Sequence, residues 1–126
     1  MELTRTNYVD EAEKVVKKLV TDKSGNIALS TSKIRNILTM VSGIYNDVIH
    51  LSGTELDVDL QERIQYLKMR FAYEAGREKT VKDLRDKAEI AQLLDGIGTD
   101  KEKCIIFCRY MESIVAYHKF YGGKEQ

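Results

Sequence analysis

Three arginines, Arg63, Arg70 and Arg77, follow one another at seven-residue steps, and Tyr66 and Tyr73 fall between them. Guanidinium groups grip phosphates as planar forks, while phenols donate hydrogen bonds or stack on bases. The chemistry open to such a set is recognition of a phosphate backbone rather than bond breaking. At about 100° per residue the five side chains form one narrow strip of a helix. Leu60, Ile64, Leu67 and Phe71 form a separate strip beside it and take the core face. An ordinary explanation stands next to this one: a solvated basic edge whose tyrosines cover the rim of the core.

Other cations join the stripe as candidates of lower rank. Lys68 lies in the same segment, Lys119 lies near the C-terminal end, and Lys33 and Arg35 sit beside Ser30, Thr31 and Ser32. Hydroxyls and cations at a helix start suit an anion. The face carrying Arg35 also carries Thr39, Ser42, Gly43, Asn46 and His50, small or weakly polar residues where Lys and Glu are expected. A glycine costs a helix about 1 kcal/mol relative to alanine, so something requires close approach there, either a neighbouring element or a ligand. The stretch 51 to 59 is acidic, with Glu55, Asp57 and Asp59 and no basic residue. It reads either as the acidic start of a helix or as a patch that pairs with another copy.

Catalytic constellations are missing. No Gly-rich phosphate loop, His-Glu-x-x-His or paired Glu-x-x-His occurs, and Asp47 and His50 stand i, i+3 without further ligands. Cys104 and Cys108 match neither a redox Cys-x-x-Cys nor a zinc knuckle, so they are expected to be reduced core thiols. His118 shares their helical face with Phe107, Met111, Ile114 and Val115, which predicts a core histidine with a hydrogen-bonded partner. Tyr110, Tyr117 and Tyr121 are expected to flank that core, with Arg109, Glu112 and Lys119 outside. No cofactor and no metal are expected.

The elements that must position these residues are helices. The 126 residues contain no proline and eight glycines, which leaves few forced helix stops. Five periodic segments emerge. The first starts after Asn7 and runs to about Lys23, with Val9, Ala12, Val16, Leu19 and Val20 as apolar positions. The second runs from an N-cap in Ser30, Thr31 or Ser32 through His50, with Ile34, Ile37, Leu38, Val41, Tyr45 and Val48 inward. The third spans roughly Val58 to Gly76 and the fourth roughly Thr80 to Asp95. The fifth ends at Gly122 and Gly123, a C-cap signal. An all-α, single-domain bundle of about five helices over residues 1–126 buries these faces. Twenty basic and twenty acidic residues give zero formal net charge, so total charge names no partner. No membrane span, signal peptide or transit peptide is visible, and a cytoplasmic protein with no membrane partner is the expectation.

The stretches "TSKIRNIL", "IQYLKMRFAYEAGRE" and "RYMESIVAYHKFYGG" resemble the small α-helical subunit of the type III-A CRISPR interference complex, the Csm complex, over most of the chain from about residue 30. The resemblance implies a non-enzymatic subunit, present in several copies, that stacks along the complex and helps hold the target RNA. Its implied partners are guide RNA and target RNA, the other Csm subunits, and copies of itself. Base pairing reads sequence in such an assembly, so the protein needs to recognise only backbone and shape. A structural adaptor whose arginines bind partner proteins without touching RNA is the alternative.

Overall fold

The computed structural model describes residues 1–122, and six helices account for nearly all of their regular structure. They are α1 (Tyr8–Lys18), α2 (Thr31–Val48), α3 (Val58–Arg77), α4 (Lys79–Lys87), α5 (Ile90–Ile97) and α6 (Lys101–Phe120). The only β pairing among the described residues is two isolated bridges, Thr21 with Ile27 and Glu55 with Asp100. The fold is all-α, as the periodicity predicts. No helix is long and apolar enough to cross a membrane among the described residues.

α6 is the axis of the bundle. It buries Cys104, Ile106, Phe107, Cys108, Tyr110, Met111, Ile114 and His118, and it packs on α1, α2 and α5. Arg5, just ahead of α1, approaches Glu102 at 3.6 Å near the start of α6, and Lys17 lies over Tyr121 at the far end. The first and last helices therefore run parallel. α2 and α3 are antiparallel: Asp47 near the end of α2 meets Arg63 near the start of α3, and Lys33 near the start of α2 meets Glu78 after the end of α3. Ile34, Ile37, Val41 and Val48 from α2, with Leu60, Ile64, Leu67 and Phe71 from α3, join one core as expected.

Several boundaries differ from the sequence reading, each for a tertiary reason. α1 stops at Lys18 because α4 takes its last polar groups: Lys87 Nζ donates to the Lys18 carbonyl at 2.6 Å, and the Val20 amide donates to Asp83 at 2.8 Å. Val9 and Val20 are 40% and 49% exposed, and Val15 is buried instead. Asn7 precedes α1 without capping it, since its amide closes the preceding turn by accepting from Thr4 N and donating to the Glu2 carbonyl. Ser30 occupies the N-cap of α2, yet its hydroxyl contacts Ser32 at 3.1 Å rather than a helix amide. α2 ends at Val48, two residues before the expected His50. At the end of α6, Gly122 adopts φ 84°, the left-handed conformation that suits a helix end. The Gly123 half of that signal lies outside the described residues.

The expected fourth helix is two. Glu89 has φ 54°, a conformation that costs a residue with a Cβ, and it separates α4 from α5. The break has a visible cause. Tyr110, fully buried on α6, donates its hydroxyl to the Ala88 carbonyl at 3.0 Å, and Ala88 and Ile90 are both fully buried beside it. Tyr110 is thus a core residue rather than a flanking one. His118 behaves as expected: buried, with Nε2 donating to the Leu29 carbonyl at 2.7 Å. Cys104 and Cys108 are buried and free, as the sequence reading has them. The hydrogen bond that Cys108 donates to Cys104, together with burial, pushes the Cys108 thiol up.

Burial raises the Tyr110 phenol above its ordinary value of 10. Replacing Tyr110 with Phe should cost about 1–2 kcal/mol, the usual result of stranding a buried carbonyl. The sign of its pH dependence follows from linkage. Above the pH at which an unfolded phenol ionises, the folded protein keeps the proton, so stability falls as pH rises. Denaturant titrations at neutral and alkaline pH check both expectations, and Tyr110→Phe should show the shallower alkaline loss.

Candidate nucleic-acid interface

α3 positions the stripe. Asp57 caps the helix by accepting from the Leu60 amide at 2.9 Å, which settles part of the acidic stretch as an ordinary helix start. The buried face of Leu60, Ile64, Leu67 and Phe71 then fixes the rotation of the helix, and the stripe falls along its edge. Tyr66 and Tyr73 are each 52% exposed, so both rings are presented to solvent. Arg70 and Arg77 converge on Tyr73, with guanidinium carbons 5.3 and 5.6 Å from the ring centroid, a cation–π arrangement. They also share one carboxylate. Arg70 donates to Glu74 at 2.8 Å, and Arg77 lies 3.6 Å from the other Glu74 oxygen.

Arg63 is held differently. It donates to Asp47 of α2 at 2.5 Å and lies 3.7 Å from Asp59. A Cβ built on Gly43 would stand 3.2 Å from a terminal nitrogen of Arg63. The close approach inferred from the small face of α2 is therefore made, at least at Gly43, by the arginine itself. Two other residues of that face bond locally: Thr39 donates to the Arg35 carbonyl at 3.1 Å, and His50 donates to the Asn46 carbonyl at 2.7 Å.

The remaining candidates do not gather into one site. Lys68 reaches away from the stripe to Asp95 of α5 at 2.5 Å. Lys33 pairs with Glu78 at 3.0 Å across the groove between α2 and α3. That groove, about 180 Å³, is lined by Ser32, Lys33, Asn36, Ile37, Glu74, Arg77 and Glu78. Arg35 is exposed and makes no ion pair among the described residues. Lys119 is exposed near the end of α6, on a different element from the stripe. The structure thus brings Arg70, Tyr73 and Arg77 together beside Lys33, sets Arg63 at the other end of α3, and carries Lys119 on α6.

Sequence reasoning missed the carboxylates Asp47, Glu74, Glu78 and Asp95 that hold these cations. Glu74 was within reach of spacing, being i+4 from Arg70 and i−3 from Arg77. The others come from different segments, and no local signal announces them. Arg109 of α6, a further cation, lies with its guanidinium 5.3 Å from the ring centroid of Tyr45 on α2. Among the described residues no cluster of three or more His, Cys, Asp or Glu could hold a metal ion.

Arg63 is about one-third exposed and Asp47 mostly exposed, so their pair is a partly screened one. A double-mutant cycle of Arg63→Ala with Asp47→Asn should return a coupling of no more than about 1 kcal/mol toward folding. Thermal melts of the four proteins measure it. The pair's consequence is orientation of the guanidinium rather than stability.

The type III-A Csm2 family model matches residues 3–124. A CRISPR system Cms protein Csm2 from Streptococcus thermophilus is 46% identical over 98% of both chains. The protein of the same name from Mycobacterium tuberculosis (strain ATCC 25618 / H37Rv) is 33% identical over the whole of both chains. Another from Enterococcus italicus is 39% identical over 74% of this chain and 68% of its own. An all-helical bundle, matched along almost its whole length to one family, belongs to the type III-A Csm2 family and is a small structural subunit of the Csm complex.

Proposed function

We propose that within the complex this subunit holds the target RNA strand through its backbone, next to the guide RNA that reads sequence, and that it stacks on copies of itself. The observation that carries the RNA reading is the cluster on α3, where Arg70 and Arg77 lie over the exposed ring of Tyr73. Forked donors around an exposed aromatic suit phosphate together with a base face. Arg63, farther along the same edge, extends the line of cations. Lys33 and Arg35 across the groove supply a second bank, with Lys68, Lys119 and Tyr66 outside it.

One observation favours a second reading. Arg63, Lys68 and Lys33 already have carboxylate partners on other elements, which is what a scaffold bound only to proteins would also display. The two readings separate by experiment. In the reconstituted complex, Arg63→Ala, Arg70→Ala and Arg77→Ala should each weaken target RNA binding alike for any matched guide and target. The log-log salt slope should become shallower by roughly 0.7 for every phosphate that is no longer neutralised. Full copy number with unaltered affinity and slope in the triple variant would make the stripe ordinary surface and overturn its assignment to RNA.

Stacking of copies calls for a heterologous interface, with different patches at the two ends. The turn joining α2 to α3 and the first turn of α3 present Glu55 and Asp59, whereas the opposite end of that hairpin carries Lys33, Arg77 and Lys79. Asp57 is committed to its cap. Neutral amides at Glu55 and Asp59 alone should therefore lower the number of copies in the assembled complex, counted by native mass spectrometry. An unchanged count takes that turn out of the interface.

A further inference from the structure

Glu74 is anomalous for a carboxylate on an outward helix edge. Only 8% of its surface is exposed, beside Arg70, Tyr73 and Arg77. A buried charge persists where partners offset its desolvation. Here both partners are arginines of the candidate interface, one on each oxygen: Arg70 on Oε2 at 2.8 Å and Arg77 on Oε1 at 3.6 Å. Helical spacing imposes this convergence, because Glu74 follows Arg70 by four residues and precedes Arg77 by three. Tyr73 completes it, since both guanidiniums also lie over its ring. Unrestrained arginines sample many rotamers, and holding one costs side-chain entropy, which a restrained pair has largely given up before a ligand arrives. On its other side Glu74 lines the groove shared with Ser32, Asn36 and Ile37 of α2.

We infer that Glu74 is a positioning residue: its carboxylate presents Arg70 and Arg77 around the Tyr73 ring as one preformed cationic fork for RNA backbone phosphate. The pair keeps a net positive charge after sharing one carboxylate, so the fork still attracts phosphate. Phosphate takes the outward N–H groups while Glu74 keeps the inward ones. The inference rests on the RNA-holding reading above, and its sign differs from that of simple charge counting. Removing a negative charge beside two arginines raises the local positive potential, which by itself tightens RNA binding and steepens its salt dependence. Loss of positioning does the reverse.

The test is target RNA binding by the reconstituted complex carrying Glu74→Gln, which keeps side-chain volume, measured across a salt series alongside the Arg70→Ala/Arg77→Ala double variant. Positioning predicts that Glu74→Gln weakens binding on the order of tenfold, the worth of about one charge-assisted hydrogen bond. It also predicts a shallower salt slope at unchanged copy number. Glu74→Asp, which keeps the charge but is one methylene too short to hold both guanidiniums, should weaken binding as well. It supplies the same readout if Glu74→Gln loses its helical circular dichroism. Tighter binding with Glu74→Gln, or unchanged affinity and slope in the folded variants, overturns the inference. A purely structural role would lower the melting midpoint alone. Should the double arginine variant bind RNA normally, the RNA reading itself fails; should only the Glu74 variants bind normally, that reading stands and the positioning role falls.

Discussion

Burial of α6 is the constraint from which the other placements follow. A helix apolar around most of its circumference has to be enclosed by neighbours, and α1, α2 and α5 do so. Enclosure brings polar groups inside with it, and each needs a partner. His118 finds the Leu29 carbonyl and so ties the loop before α2 to the end of α6. Tyr110 finds the Ala88 carbonyl, and at the next residue the chain turns through the left-handed Glu89. One buried phenol thus marks where α4 gives way to α5, and with it how α5 reaches α6. α5 in turn supplies Asp95, which holds Lys68.

The outer layer, α2 against α3, follows a different logic. Its inner faces are apolar, but its edges are fastened by charge pairs at both ends, Asp47 with Arg63 and Lys33 with Glu78. Surface pairs of this sort contribute little to folding. Their effect lies in where they hold the cations. Each basic group of the α3 edge has a carboxylate nearby, though Arg70 and Arg77 share one, and over the whole chain zero net charge gives no strong long-range attraction for polyanions.

The architecture is legible in the sequence to the extent that it is periodic. Helical spacing of apolar residues places the core faces of α2, α3 and α6, and the absence of proline allows the long helices. The same periodicity places Arg63, Tyr66, Arg70, Tyr73 and Arg77 on one edge, and the burial of Cys104, Cys108 and His118 agrees with it. Periodicity fails at the ends. It overextends α1 because the terminating partners, Lys87 and Asp83, lie more than sixty residues away. The break at Glu89 is invisible to it because no glycine or proline marks the position.

Within the candidate interface the division is sharper. Residue types and spacing by themselves determined that an arginine–tyrosine edge exists, since both depend only on the helix repeat. The Glu74 bridge belongs in principle to the same class, being an i, i+3 and i, i+4 relation on one helix. Its burial, with 8% of the residue exposed, is not announced by that spacing. Only the tertiary structure decided that Gly43 makes room for Arg63, that Asp47 takes the guanidinium, and that Lys68 turns toward Asp95. Each joins two helices whose relative position is set by core packing, and packing is a property of the whole chain that no local pattern encodes.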